Sequence, residues 1–218
     1  MPAEANAVIR KFKDSDREAV RQITFDTAFL GRPASVFFSG REVLCDSLTL
    51  YFTDYEPQSC FVAEINGEVI GCLLGARDKA AAEKIAGRKI NPKILWRALR
   101  EGVFFRRKNL VFIFKSFFSI LRGEFRMPDF SAGYPAALHI NVKDGYRGRR
   151  AGSGLIGAYL VYLKEEGVIG VQLATFSAAA GQFFLRQGFE LLHTGRRSYF
   201  NHLLQKDAPL YIYGKKLL

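Results

Sequence analysis

The chain holds three cysteines in 218 residues, Cys45, Cys60 and Cys72, and no two of them form a CxxC pair. So sparse and odd a set supports neither a disulfide framework nor a zinc site, and the three are expected to be reduced, buried thiols. No apolar run approaches the roughly 20 residues needed to cross a bilayer. The N-terminal stretch MPAEANAVIRKFKDSDREAV is charged, with neither an apolar h-region nor a small-residue cleavage site, so no secretory signal is read and a cytoplasmic location is expected. Internal repeats and low-complexity linkers are missing too. With 49% hydrophobic residues the chain can bury a sizeable core, which excludes disorder and collagen-like structure. A length of 218 residues suits one domain over 1–218.

Acidic residues are scarce in one place. The formal charge is +11, and from Lys79 to Arg126 thirteen bases face three acids, Glu83, Glu101 and Glu124. The rest of the chain is close to neutral, which argues against a nucleic-acid partner and for a special inserted element.

Elsewhere the pattern is that of an α/β protein. Ala7–Phe12 reads as a strand, Arg17–Thr27 as a helix, and Arg41–Phe52 as a second helix with Val43, Leu44, Leu48 and Phe52 at mostly four-residue steps. Ser59–Ile65 and Glu68–Leu74 flank Asn66-Gly67, the strongest short hairpin signal, and Gly71 and Gly75 are expected to thin the packing of that hairpin. The basic segment, at about 79–130, contains helical pieces over Pro92–Phe105 and Arg107–Leu121. After it come a strand at Ala137–Val142, a helix to Glu166, a strand at Gly170–Thr175, a helix at Ser177–Arg186, and strands beginning at Phe189 and Pro209.

The chemistry concentrates where the strand Leu138–Val142 runs into Lys143-Asp144-Gly145-Tyr146-Arg147-Gly148-Arg149-Arg150-Ala151-Gly152-Ser153-Gly154. A basic, glycine-bearing turn that opens a helix aims unpaired amides and the positive helix end at one spot, which suits a pyrophosphate. This segment resembles the acetyl-CoA signature of the GNAT acetyltransferase superfamily, Q/R-x-x-G-x-G/A after a valine-containing strand. Arg147 and Gly152 match its first and last positions, and Arg150 stands where the first glycine usually sits. A shifted register, Arg149-x-x-Gly152-x-Gly154, satisfies the pattern but fits the Val142 spacing less well. Ser177–Phe189 resembles the family's N-x-x-A-x-x-F-Y-x-x-x-G-F element, with Ser177 in place of asparagine and Phe184 in place of the tyrosine that serves as general acid; Tyr211–Leu217 resembles its closing strand.

The resemblance implies a mixed, mostly antiparallel central sheet flanked by helices, interrupted by the basic aromatic insertion. It also implies an N-acetyltransferase that uses acetyl-CoA, needs no metal, and acts on a small-molecule or protein amine. Ile140, Asn141 and Val142 would grip the pantetheine, and Arg147, Gly148, Arg149, Arg150, Ala151, Gly152 and Ser153 would cradle the pyrophosphate. A non-catalytic acyl-CoA-binding module and a longer-chain acyltransferase near the membrane are the alternatives. With no tyrosine at Phe184, water or Tyr134 would protonate the leaving thiol. For the base, strand alternation puts His139 and Asn141 on one face and Leu138, Ile140 and Val142 on the other, making His139 the first candidate. Glu56 is the alternative, equally explained as a surface carboxylate at a helix end.

In the insertion, Leu110, Phe114, Phe117, Phe118 and Leu121 share a helical stripe flanked by bases. Such a stripe is read first as packed on the domain as a lid over the acceptor site. A homodimer contact and a peripheral membrane anchor are the other two readings.

Overall fold

The structure, a computed structural model, describes residues 7–147 and 150–218. Seven strands form one sheet in the order β1-β2-β3-β4-β5-β7-β6. These are β1 (Val8–Lys11), β2 (Phe61–Ile65), β3 (Glu68–Ala76), β4 (Ala136–Val142), β5 (Gly170–Thr175), β6 (Glu190–Arg197) and β7 (Ala208–Lys216). Every neighbouring pair is antiparallel except β4 and β5. The expected mixed, mostly antiparallel sheet is therefore what forms. Asn66 and Gly67 both take positive φ, 52° and 81°, as a two-residue hairpin turn requires.

Helices α1 (Arg17–Thr27) and α2 (Arg41–Asp54) cover one face of the sheet, and α6 (Ala151–Glu165) and α7 (Ala178–Arg186) the other. Leu138, Leu155, Tyr159 and Leu173 belong to the core beneath α6 and α7. Val20, Ile23, Cys60, Cys72 and Leu74 fill the side under α1. All three cysteines are buried and unpaired, and burial pushes the Cys60 and Cys72 thiols up to about 12.

Between β3 and β4 the chain forms α3 (Lys79–Ile85), a π turn over Ala86–Ile90, α4 (Asn91–Arg100) and α5 (Arg107–Leu121). The first helix and the π turn went unseen in the sequence because α3 buries no residue and so has no apolar period to read. The two ends of this segment meet, Lys79 donating its amide to the Pro135 carbonyl at 2.8 Å. It packs on the α1–α2 link and on the link between β6 and β7, where a short helix α8 (Asn201–Leu204) lies, through an aromatic cluster that includes Phe29, Phe37, Phe38, Phe112 and Phe200. Arg97 reaches Asp46 of α2 at 2.8 Å, and Asp46 also holds the buried Arg21 of α1 at 2.6 Å.

The expectation for α5 is overturned. Its apolar stripe faces outward, with Phe114 61% and Leu121 65% exposed, while Asn109 and Ser119 are buried. Beneath α5 lie both the aromatic rings that Phe112 meets and links whose main-chain groups need polar partners. Asn109 accepts from the Ser39 amide at 2.7 Å and donates to the Ser39 and Val103 carbonyls, each at 2.6 Å.

Nor do the hairpin glycines thin the packing. A Cβ on Gly75 would overlap the Tyr159 ring and stand 2.6 Å from the Ser59 carbonyl oxygen, and one on Gly71 would meet the Asn141 carbonyl oxygen at 3.2 Å. Both are contact points. Gly75→Ala is expected to destabilise the protein by about 2–3 kcal/mol, the usual scale for an overfilled core. A denaturant midpoint equal to wild type would show that Tyr159 can move aside.

Candidate active site

β4 and β5 pair only at Ala136 with Val171 and Ala137 with Gln172, whereas β4 stays on β3 as far as Val142. Beyond Ala137 the two parallel strands part. One edge of β4 from Leu138 to Val142 therefore presents backbone groups that β5 does not take. An extended, amide-bearing ligand can complete such an edge as an added strand does. Ile140, Asn141 and Val142 lie along it, and the Tyr159 hydroxyl sits at the fork, 2.9 Å from the Ala137 carbonyl oxygen and 3.1 Å from that of Ala76.

The open edge leads through a turn into α6, whose first-turn amides have no partner within the helix. Arg150 caps this helix in the left-handed region, at φ 61° and ψ −1°. A non-glycine residue there costs roughly 1–2 kcal/mol, so the chain keeps a cation at a position whose backbone suits glycine. Gly154, the last glycine of the shifted register, has a packing role: a Cβ there would stand 2.9 Å from Ile9 of β1. Gly152 faces the Phe183 ring, which a Cβ would meet at 3.2 Å. Ala151 is buried, and the Ser153 hydroxyl accepts from the Gln187 amide at 3.1 Å, tying α6 to the end of α7. Arg147 is half exposed and leans toward the Gly31 carbonyl oxygen at 3.4 Å and Asp144 at 3.7 Å. Gly148 and Arg149 lie outside the described residues.

His139 and Asn141 point to the α1–α2 side, opposite Leu138, as strand alternation predicts. The Asn141 Oδ1 accepts from the Thr27 hydroxyl at 2.9 Å, which ties β4 to the end of α1. His139 packs edge-on against Phe52 at 5.5 Å and has no side-chain hydrogen bond among the described residues. Solvent reaches it, yet protein surrounds it closely enough that desolvation lowers its pKa below the usual 6.5. It is an accessible imidazole on the α1–α2 side of β4, neutral at pH 7.

Glu56 is neither on the surface nor open. It is 5% exposed; Oε1 accepts from the Ser59 hydroxyl at 2.5 Å and from the Arg77 amide and Nε at 2.8 and 3.2 Å, while Oε2 accepts from Tyr51 at 2.7 Å. The expectation of a helix-end surface carboxylate is corrected: Glu56 fastens the end of α2 to the end of β3. It borders an open recess of about 390 Å³ lined also by Tyr55, Asp78 and Glu166.

Tyr134 donates to Glu190, and that bond raises its pKa. Phe184 is buried against Phe183, Phe189 and Tyr213, and Ser177 caps α7 by accepting from the Ala180 amide at 3.2 Å. Sequence reading missed Tyr213, whose ring lies 6.1 Å from that of Phe184 and whose hydroxyl, set against Gly181, has no hydrogen-bond partner among the described residues. The signal was faint, since Tyr213 and Phe184 are brought together only by the docking of α7 on β7. Among the described residues no cluster of histidine, cysteine and carboxylate side chains is arranged to hold a metal.

Comparison with known proteins agrees with this geometry. Among curated proteins no sequence match is found. The crystal structure of SsHAT superposes with a TM-score of 0.72 at 24% identity, over 98% of this chain and 99% of that one. A Drosophila melanogaster polyamine N-acetyltransferase gives 0.59 at 16% identity, over 97% and 100% of the two chains. An N-acetyltransferase from Staphylococcus aureus Mu50 gives 0.58 at 17% identity, over 98% and 100%. At these identities the likeness speaks for the fold. The sequence profile of the Acetyltransferase (GNAT) family, however, matches residues 33–189, most of the chain and all of the strand–turn–helix just described, and the protein therefore belongs to the GNAT acetyltransferase family.

Proposed function

We propose that the protein transfers an acetyl group from acetyl-CoA to a primary amine, on a small molecule or a protein, by direct attack in a ternary complex. The observation that carries this reading is the open edge of β4, which bears His139 and leads to the N-terminus of α6, where Arg150 is the cap. Acetyl-CoA, when bound, supplies an acetyl group activated as a thioester, whose thiolate is a tolerable leaving group with a thiol pKa of about 8.5 by analogy with cysteine.

The rest falls to the chain's own residues. Amides and carbonyls along Ile140, Asn141 and Val142 hold the pantetheine arm. The first-turn amides of α6, from Ala151 to Ser153, receive the diphosphate, with Arg147 and Arg150 adding charge-assisted bonds; Gly148 and Arg149 are assigned to the same cradle from the sequence resemblance alone. His139, neutral and unengaged, takes the proton that the amine nitrogen sheds as it bonds to the acetyl carbon. The proton for the departing thiolate comes from water or from Tyr213, since Phe184 has none to give.

Acetyl-CoA at about 100 times its Kd is expected to add about 2.7 kcal/mol of stability. A thermal midpoint unmoved by saturating acetyl-CoA would overturn the reading. Thiol release in the presence of a panel of amines separates a transferase from a binding module.

Arg150→Gly should act in two directions at once. Relief of the left-handed arginine raises the thermal midpoint of the free protein by the equivalent of about 1 kcal/mol, while loss of the cation weakens acetyl-CoA binding by about fivefold to tenfold. Stabilisation with unchanged affinity would remove Arg150 from the diphosphate site.

For the base, activity should persist below pH 6.5 and fall only as pH drops through the lowered pKa of His139, because the imidazole must be neutral to accept a proton. His139→Ala should lower turnover by about 10²–10⁴-fold and abolish that acid limb. Glu56→Gln is expected to lower the thermal midpoint and leave the limb in place. The reverse ranking of the two variants would move the role to Glu56.

A further inference from the structure

The helix α5 is inside out for a protein in water. Its inward side carries Asn109 and Ser119, both fully buried, with Phe112 between them, while Phe114, Phe117, Phe118 and Leu121 stand 61%, 53%, 53% and 65% exposed. From Leu110 to Leu121 the exposed positions are all apolar. A contiguous exposed apolar face of this kind marks a surface that meets something other than water.

The charges around it say what that is. Arg106 and Arg107 flank the face at one end and Arg122 and Arg126 at the other, and none of the four is in an ion pair among the described residues. The nearby acids are already used: Glu101 pairs with Arg97, and Glu124 accepts from Ser119 and the Ser198 amide. A second copy laid on this face would bring bases against bases with no carboxylate to answer them. An anionic surface with an apolar interior answers both features together.

We propose that the outward face of α5 docks on an anionic lipid bilayer, the helix lying in the plane of the interface with its aromatic side chains among the acyl chains and its terminal arginines at the headgroups. Fifteen residues span about 22 Å, short of the roughly 30 Å hydrocarbon core, and among the described residues no helix is long and apolar enough to cross a membrane. Docking rests on this surface alone and does not depend on the acetyl-transfer reading.

The test is sedimentation of the full chain, without acetyl-CoA, with phosphatidylcholine vesicles that contain or lack phosphatidylglycerol. The expected result is binding to the anionic vesicles only, weakened by salt and reduced about fivefold for each base removed in Arg107→Gln and Arg122→Gln. The triple variant Phe114→Ser, Phe117→Ser, Phe118→Ser should lose binding while keeping its thermal midpoint. Arg122 also donates to the Ser198 hydroxyl at 3.2 Å, so Arg107→Gln, which alters an exposed charge alone, keeps the test decisive if the triple variant does not fold. Equal binding to neutral and anionic vesicles, or undiminished binding by these variants, would overturn the proposal. So would indifference to vesicles, and a dimer that the triple variant turns into a monomer would then assign the face to a second copy.

Discussion

The organisation of this molecule depends on the point where β4 and β5 part. Two residue pairs of parallel ladder join the halves of the sheet, and beyond Ala137 the strands diverge because β4 follows β3 while β5 follows β7. The fork is maintained from beneath. Tyr159 of α6 brings its hydroxyl to the carbonyls of Ala76 and Ala137, and Gly75 leaves room for its ring to cross β3. An open strand edge is otherwise a liability, prone to pairing with whatever strand approaches. Here the packing of α6 holds it apart, so the cleft exists before any ligand arrives.

Charge and conformation oppose each other at the mouth of that cleft. A left-handed arginine is less stable than a left-handed glycine, and local strain of this sort tends to persist where the surroundings over-determine it and a ligand benefits. The cation at Arg150 is added to amides already directed outward by the start of α6. His139, farther back on β4, works by the opposite device. His139 has no charged neighbour to hold its proton, so desolvation alone keeps it neutral, and the lack of a side-chain partner leaves both ring nitrogens available.

The segment between β3 and β4 is secured by polar contacts as well as by its aromatic cluster. Asn109 answers the main chain at Ser39 and Val103; Arg97 joins the buried Arg21–Asp46 pair; Arg197 lies over the Phe125 ring and donates to the Glu124 carbonyl. Links without regular structure leave carbonyls and amides that need partners, and burying one unsatisfied costs on the order of 1–3 kcal/mol. The polar stripe of α5 meets that demand, and its apolar stripe is left facing out. The aromatic cluster around Phe112 and Phe200 supplies the apolar part of the attachment.

Local pattern alone was enough for much of this. The Asn66-Gly67 hairpin, the strand at Ala137–Val142, the helix ending near Glu166 and the shared face of His139 and Asn141 follow from turn chemistry and from periods of two and 3.6, which act within a few residues, though the helix starts at Ala151, inside the stretch read as turn. The motif around Arg147–Gly152 was legible for the same reason. Three matters were decided only by tertiary structure. Glu56 was sealed by Tyr51, Ser59 and Arg77 because α2 ends where β3 leaves the sheet. The left-handed φ of Arg150 and the contact of Gly154 with Ile9, on a strand far away in sequence, were likewise set by the fold. The outward turn of α5 could not be read from its own stripe. A helical period shows that a helix has two faces, but which of them is buried depends on the groups offered by whatever it docks against, and here those include main-chain groups at Ser39 and Val103 beside the rings of Phe37, Phe38 and Phe200.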